Sequence, residues 1–393
     1  MMTPEQTILA LIRFAVAKRI VSASDFKGSD WQEVYALAKE QGVAGVCFDA
    51  IAQLKREGRV EIDPILFTEW YGTMQIWEDQ YAKHGFEIKN LTRFYRHFGI
   101  RMLLLKGYGL STYWPVPKHR PCGDIDIFLL EEKDLLERLE IVCAQERGDA
   151  LIAEKLGIKV NTGSSHHSDF LVDGVNVENH KDLLDDESHK ANGEIEKAVM
   201  SLMLHEEGGT AIVIDGVEIN VPSPTFNALY LLRHAGLHFA TERLLLRQVL
   251  DWGLMVQRTG KAEINWDFVQ KHAREQGMER FMDSMIEICV CDLGMDEACF
   301  PKFSRQGKLK KRVLADIMAP EFSEENDTVI GVNLRYIIYK VRRFLANRWK
   351  YRLVYPTSLW GIFLNLAYRR IVNSRCLRIN GYWSKRFLEK IVC

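Results

Sequence analysis

Two carboxylates one residue apart, Asp124 and Asp126, interrupt the apolar run of RPCGDIDIFLL, residues 120–130. Side chains alternate faces along a strand, so the two aspartates share one face while Ile125, Ile127 and Leu129 share the other. Like charges held side by side need neutralising, and a divalent cation is the usual means. Further along, VNVENH places a third acid, Glu178, in alternation with Val175 and Val177. Three acids on two neighbouring strands can hold two Mg²⁺ (or Mn²⁺) ions about 3.5–4 Å apart, the arrangement that serves phosphoryl and nucleotidyl transfer. His180, one pleat beyond Glu178, reads equally as a general base, a phosphate contact or a buried hydrogen-bonded histidine. Asp169 and Asp173 are the other acids of that hairpin able to serve as the third ligand.

A phosphate-binding half is legible upstream. HFGIRMLLLKG ends a short buried strand at Lys106-Gly107, and YGLSTYW continues as about two helical turns. A glycine at a strand-to-helix turn lets backbone approach a phosphate, and the helix N-terminus contributes N–H donors. Lys106 or Arg120 adds positive charge.

These residues need elements to hold them. Residues 4–58 read as helices, with Ser29 or Asp30 capping SDWQEVYALAKEQGV, and a further helix runs over 64–98. EEKDLLERLEIVCAQE, 131–146, is amphipathic through Leu135, Leu136, Leu139 and Val142. Asp173-Gly174 and Asp215-Gly216 each separate two alternating runs and predict β-hairpins. From Ser223 the pattern is helical to the end, broken by APEFSEEND. The boundaries expected are an N-terminal helical region over 1–85, an α+β core over 86–222 and a C-terminal helical domain over 223–393.

Of the remaining histidines, His166 and His167 are adjacent and read as loop residues. His234 and His238 have zinc-pair spacing but lack companion ligands, so they are expected to pack or to reach over the nucleotide site with Arg247 and Asp251. Composition is that of a globular protein, 47% hydrophobic and 27% charged, with a formal net charge of -1. That balance hides a basic end: residues 328–393 carry fourteen Lys/Arg against Glu389 alone. Its interleaved aromatics fit three roles: a nucleic-acid surface, a face on anionic lipid, or a folded helical domain neutralising acids elsewhere in the chain, with apolar spacing at Ile337, Val341, Phe344 and Leu345 favouring folded helices. The eight cysteines form no framework and read as reduced thiols. No apolar run approaches the roughly 18 residues of a membrane span. The expected location is cytoplasmic, with peripheral contact at the inner membrane face through the basic end.

LLLKGYGL, RPCGDIDIFL, Glu178-Asn179-His180, LYLLRHAGLH and LLLRQVLDW together resemble the DNA polymerase beta-like nucleotidyltransferase superfamily, and within it the bacterial uncharacterised nucleotidyltransferases. The resemblance covers roughly residues 25–260. It implies a polymerase-beta-like core, a small mixed sheet flanked by helices and enclosed by helical regions. It also implies Mg²⁺ bound by Asp124, Asp126 and Glu178, and a nucleoside triphosphate lying over Gly107 with Gly123 in the R-x-x-G-D-x-D motif. Asp124 and Asp126 would bridge both ions, and Glu178 would bind the catalytic one and help deprotonate an acceptor hydroxyl that attacks the α-phosphorus. Where much of the superfamily has Gly-Ser or Gly-Gly, this chain has Gly107-Tyr108, so Lys106 or Ser111 is expected to stand in for the hydroxyl. The acceptor is not written in the sequence. The alternatives are a toxin-type nucleotidyltransferase acting on tRNA or protein, and a catalytically silent nucleotide- or membrane-binding module; a DxD glycosyltransferase lacks its Rossmann unit.

Overall fold

The structure, a computed structural model, describes residues 2–17, 26–131, 141–164, 166–184, 189–205, 210–320, 334–356 and 361. Leu135, Leu136, Leu139, the acidic stretch from 321 and the basic end beyond 361 lie outside the described residues.

Three helices come first: α1 (Pro4–Ala17), α2 (Trp31–Glu40) and α3 (Ala44–Arg56). Asp30, rather than Ser29, caps α2 by accepting the amides of Gln32 and Glu33. The 34-residue α4 (Pro64–His97) starts where Asp63 accepts two amides and Pro64 presets the first turn. Then come β1 (Ile100–Leu104), α5 (Tyr108–Ser111), β2 (Ile125–Glu131), α6 (Ile141–Leu156), β3 (His167–Val172), β4 (Val175–His180), α7 (Lys190–His205), β5 (Thr210–Ile214) and β6 (Val217–Val221). The remainder is helical: α8 (Pro224–Thr241), α9 (Leu246–Thr259), α10 (Trp266–Glu275), α11 (Glu279–Glu287), α12 (Lys308–Met318) and α13 (Leu334–Val354).

The six strands form one mixed sheet in the order β3-β4-β2-β1-β6-β5. β1 is antiparallel to β2 and parallel to β6, while β2 is parallel to β4. Both hairpins form as predicted. Asp173 and Gly174 have φ of 48° and 77°, Asp215 and Gly216 of 44° and 77°, the left-handed pair that a two-residue turn needs.

Alternation gives the sheet two distinct faces. Ile125, Ile127 and Leu129 of β2, with Met102, Leu104, Val175 and Val177, pack on Ile88, Leu91 and Tyr95 of α4 and Ala144 and Ile152 of α6. On the opposite face Leu103, Leu105, Phe128 and Leu130 join the buried residues of the N- and C-terminal helices in one cluster. Asp126 belongs to this second face.

Helix α6 runs ten residues beyond the expected end at Glu146, to Leu156. Its inward side mixes Ala144 and Ile152 with buried Gln145 and Asp149. Gln145 bonds Leu129 O, and Asp149 accepts from Ser168 and Asn179. Helix α13 forms as its apolar spacing predicts, and Phe344 packs on the core. Leu345 is exposed and the buried positions include Arg343, Asn347 and Lys350. Arg343 donates to Thr241 O at the end of α8, where carbonyls lack helical partners, and Lys350 pairs with Asp316 at 2.6 Å. Cations of the basic region are thus used inside the fold.

A titratable clamp ties the N-terminal helices to the loop before β2. His119 meets Asp49 of α3 through Nδ1 at 2.7 Å and Glu78 of α4 through Nε2 at 2.9 Å. Burial disfavours the charged ring, but the two carboxylates outweigh it and raise its pKa above the ordinary 6.5. A raised histidine pKa contributes stability that is complete below the unfolded value and disappears as pH climbs through the folded one. Urea midpoints should therefore fall for the wild type as pH rises above about 6.5, and that fall should be shallower in His119→Gln. Equal pH slopes in the two proteins would rule the clamp out.

Among the described residues no helix is long and apolar enough to cross a membrane, and Cys47, Cys122, Cys289, Cys291 and Cys299 are free thiols.

Candidate active site

The parallel pairing of β2 with β4 sets Asp126 directly beside Glu178, both on the face turned away from α4 and α6. His180, two residues on, shares that face and lies between the acids. Its Nε2 is 3.0 Å from Asp126 Oδ1 and 3.5 Å from Glu178 Oε2. Lys106, just past the end of β1, places Nζ 3.1 Å from the same Asp126 oxygen. Two basic side chains therefore answer the buried Asp126, and His180 also meets the half-buried Glu178.

The electrostatics follow from this quartet. Burial pushes the Asp126 carboxyl up, but Lys106 and His180 outweigh it and hold it well below the usual carboxylate range. Burial likewise pulls Lys106 down, and Asp126, helped by Glu178, more than reverses this. The hydrogen bond from His180 lowers Glu178 against the opposing effect of burial. For His180 itself burial favours the neutral ring, yet the two acids raise its pKa.

Asp124 stands at the entrance to β2, exposed, and accepts from Asn176 Nδ2 at 3.2 Å. Among the described residues the tight cluster able to hold a cation is Asp126, Glu178 and His180, with ligating atoms all within 4.8 Å of one another. The acids expected at the site thus share one face, with His180 rather than Asp124 closing the cluster.

Gly107 adopts φ 60°, ψ −112° at the turn after β1, which a side chain would strain. A Cβ there would stand 3.5 Å from Asp124 O, so the turn lies against the start of β2. The helix that follows is a single turn rather than two. Its Tyr108 stacks on Tyr81 of α4 at 4.2 Å between ring centroids. Ser111 is fully buried and donates to Tyr108 O at 2.6 Å, with Tyr81 Oη 3.2 Å away. Tyr108 and Ser111 therefore anchor the turn to α4.

Arg120 is buried as well. Its Nε and Nη2 each donate to Asp251 of α9 at 2.8 Å, and Trp114 Nε1 donates to the same carboxylate. Arg247 reaches Pro121 O, and His84 of α4 lies 2.6 Å from Gly123 O. Residues 120–123 are thus held from both sides, and this cradle aims Asp124 and Asp126. Arg120 and Gly123, expected to face phosphate, are placed in that support.

Helix α8 roofs the site. Tyr230 is completely buried near Lys106 and Asp126, which raises its hydroxyl to about 12 mainly through burial, and its Oη has no hydrogen-bond partner. His234 comes next to the same groups, where burial and Lys106 keep its ring neutral. His238 is 2.6 Å from Glu242 Oε2. Among the described residues His234 and His238 join no cluster of three metal-ligating side chains.

His166 and His167 are not both loop residues. His167 opens β3 in register with His180, with ring centroids 5.9 Å apart, while His166 Nδ1 lies 3.0 Å from Asp182. Counting outward from Asp173-Gly174 pairs 172 with 175 and 167 with 180, so the turn already contained this contact. Asp169 falls opposite Glu178 in the same way and accepts from Asn161 Nδ2. Tyr230 had no comparable signal, since its place depends on how α8 crosses the sheet.

The donor set and the orphaned Tyr230 hydroxyl fit a divalent cation. A family model described as uncharacterised nucleotidyltransferase matches residues 27–294. Neither the curated proteins nor the solved structures compared give a match.

Proposed function

Because the chain belongs to the uncharacterised nucleotidyltransferase family and is therefore a transferase, we propose that it moves a nucleoside monophosphate from an NTP to an acceptor hydroxyl, using Asp124, Asp126 and Glu178 to hold Mg²⁺ or a similar ion. The observation that carries this reading is the side-by-side placement of Asp126 and Glu178 next to the Lys106-Gly107 turn. Divalent cations, when bound, supply charge neutralisation for the polyphosphate and the departing pyrophosphate.

The chain's own residues supply the rest. Gly107 leaves the backbone open beside Asp124, where a phosphate oxygen can approach. Lys106 brings a fixed positive charge to the same edge of the acidic pair. Glu178 takes the acceptor proton as the new oxygen–phosphorus bond forms and the bond to pyrophosphate breaks. Holding Asp126 and Glu178 side by side on the adjacent strands β2 and β4 keeps the acceptor and donor aligned.

Incubating the purified protein and Mg²⁺ with each α-phosphate-labelled NTP and a cell extract tests the proposal. One or more molecules should acquire label with the wild type and not with Glu178→Gln. Absence of both label transfer and pyrophosphate release with every NTP would leave the fold without this activity.

A further inference from the structure

We propose that His180 is itself a metal ligand, through Nε2, in a centre completed by Asp126 and Glu178, and that this centre prefers Mn²⁺ to Mg²⁺. The inference deepens the reading above and rests on it for the catalytic role, but not for metal binding.

Distances argue first. Donors bound at about 2.1 Å to one ion are separated by about 3.0 Å when they subtend a right angle and by about 3.4 Å at a tetrahedral angle. Nε2 is 3.0 Å from Asp126 Oδ1 and 3.5 Å from Glu178 Oε2, and the three atoms all lie within 4.8 Å of one another, so one ion can draw all three together once it displaces the ring proton and the Lys106 Nζ now 3.1 Å from the same Asp126 oxygen.

The orphaned hydroxyl argues second. Tyr230 is fully buried on the roof, within electrostatic reach of Lys106 and Asp126, and its Oη lacks a partner. Leaving such a group unpaired is costly, and a water or substrate oxygen on the ion would satisfy it. Three protein donors leave coordination positions open for such oxygens.

Donor chemistry sets the preference. Mg²⁺ favours an all-oxygen shell and keeps several waters, whereas Mn²⁺ shares its affinity for carboxylates and, as a softer transition ion, accepts an imidazole nitrogen more readily. Two carboxylates and one imidazole therefore favour Mn²⁺ over Mg²⁺.

Mn²⁺ titration of the purified protein without nucleotide, followed by electron paramagnetic resonance, tests this. The expected spectrum of the wild type shows coupling to a directly bound ¹⁴N, retained in His167→Gln and lost in His180→Gln. Mn²⁺ affinity should fall at least about tenfold in His180→Gln, and excess Mg²⁺ should displace Mn²⁺ only at much higher concentration. Failure of the wild type to bind Mn²⁺, lack of ¹⁴N coupling, unchanged affinity in a folded His180→Gln protein, or displacement by equimolar Mg²⁺ would each overturn the proposal. Nitrogen coupling without label transfer from any NTP would keep this centre and remove the transfer reading. Label transfer without nitrogen coupling would do the reverse.

Discussion

Asp126→Asn should lower nucleotidyl transfer by about a thousandfold or more, the equivalent of roughly 4 kcal/mol of lost transition-state stabilisation. The amide keeps the size of the carboxylate but removes the charge that Lys106 and His180 both contact through one oxygen. It also takes away the least exposed acid of the cation-holding cluster. Single-turnover label transfer at saturating NTP checks this, with circular dichroism showing that the variant is folded. Activity within tenfold of the wild type would remove Asp126 from the chemistry and with it the transferase reading of this face.

A second large effect is expected on stability. Arg120→Ala leaves Asp251 charged and buried without its main partner, a loss on the order of 3–5 kcal/mol. Replacing both members by apolar residues, Arg120→Met with Asp251→Leu, removes the stranded charge and should recover much of that loss. Trp114 Nε1 then lacks its acceptor, so recovery stays incomplete. Urea denaturation of the three proteins measures the difference. An Arg120→Ala protein that is as stable as the wild type but fails to bind NTP would return Arg120 to the phosphate contact suggested by its position in R-x-x-G-D-x-D.

That contrast shows where sequence reading succeeds and where it stops. Asp126, Glu178 and His180 were readable because strand alternation is local and the Asp-Gly turn leaves no freedom of register once its position is known. The same logic reached Asp169 but was not carried to His167, whose neighbour His166 made the pair look like a loop. Arg120 failed for another reason: its partner is 131 residues away on α9, and no local pattern announces a contact across that separation. Helix α6 was misjudged because its inward side carries Gln145 and Asp149 for a buried polar network, which masks the apolar periodicity. On α13 the apolar spacing correctly announces a helix and Phe344 packs on the core, but the inward cations Arg343 and Lys350 answer acceptors supplied by other helices, which an apolar pattern does not show.

The acid-bearing face of the sheet also changes what the strand-rich middle of the chain can do alone. Leu103, Leu105, Phe128 and Leu130 are interred with side chains from both ends of the polypeptide, and the roof over Lys106 belongs to α8. The last described strand ends at Val221, yet one buried cluster runs from the sheet into the helices that follow. A fragment cut at that point would present an oily surface and an uncovered acid pair to solvent, so the acid pair depends on helices that flank the sheet segment on both sides.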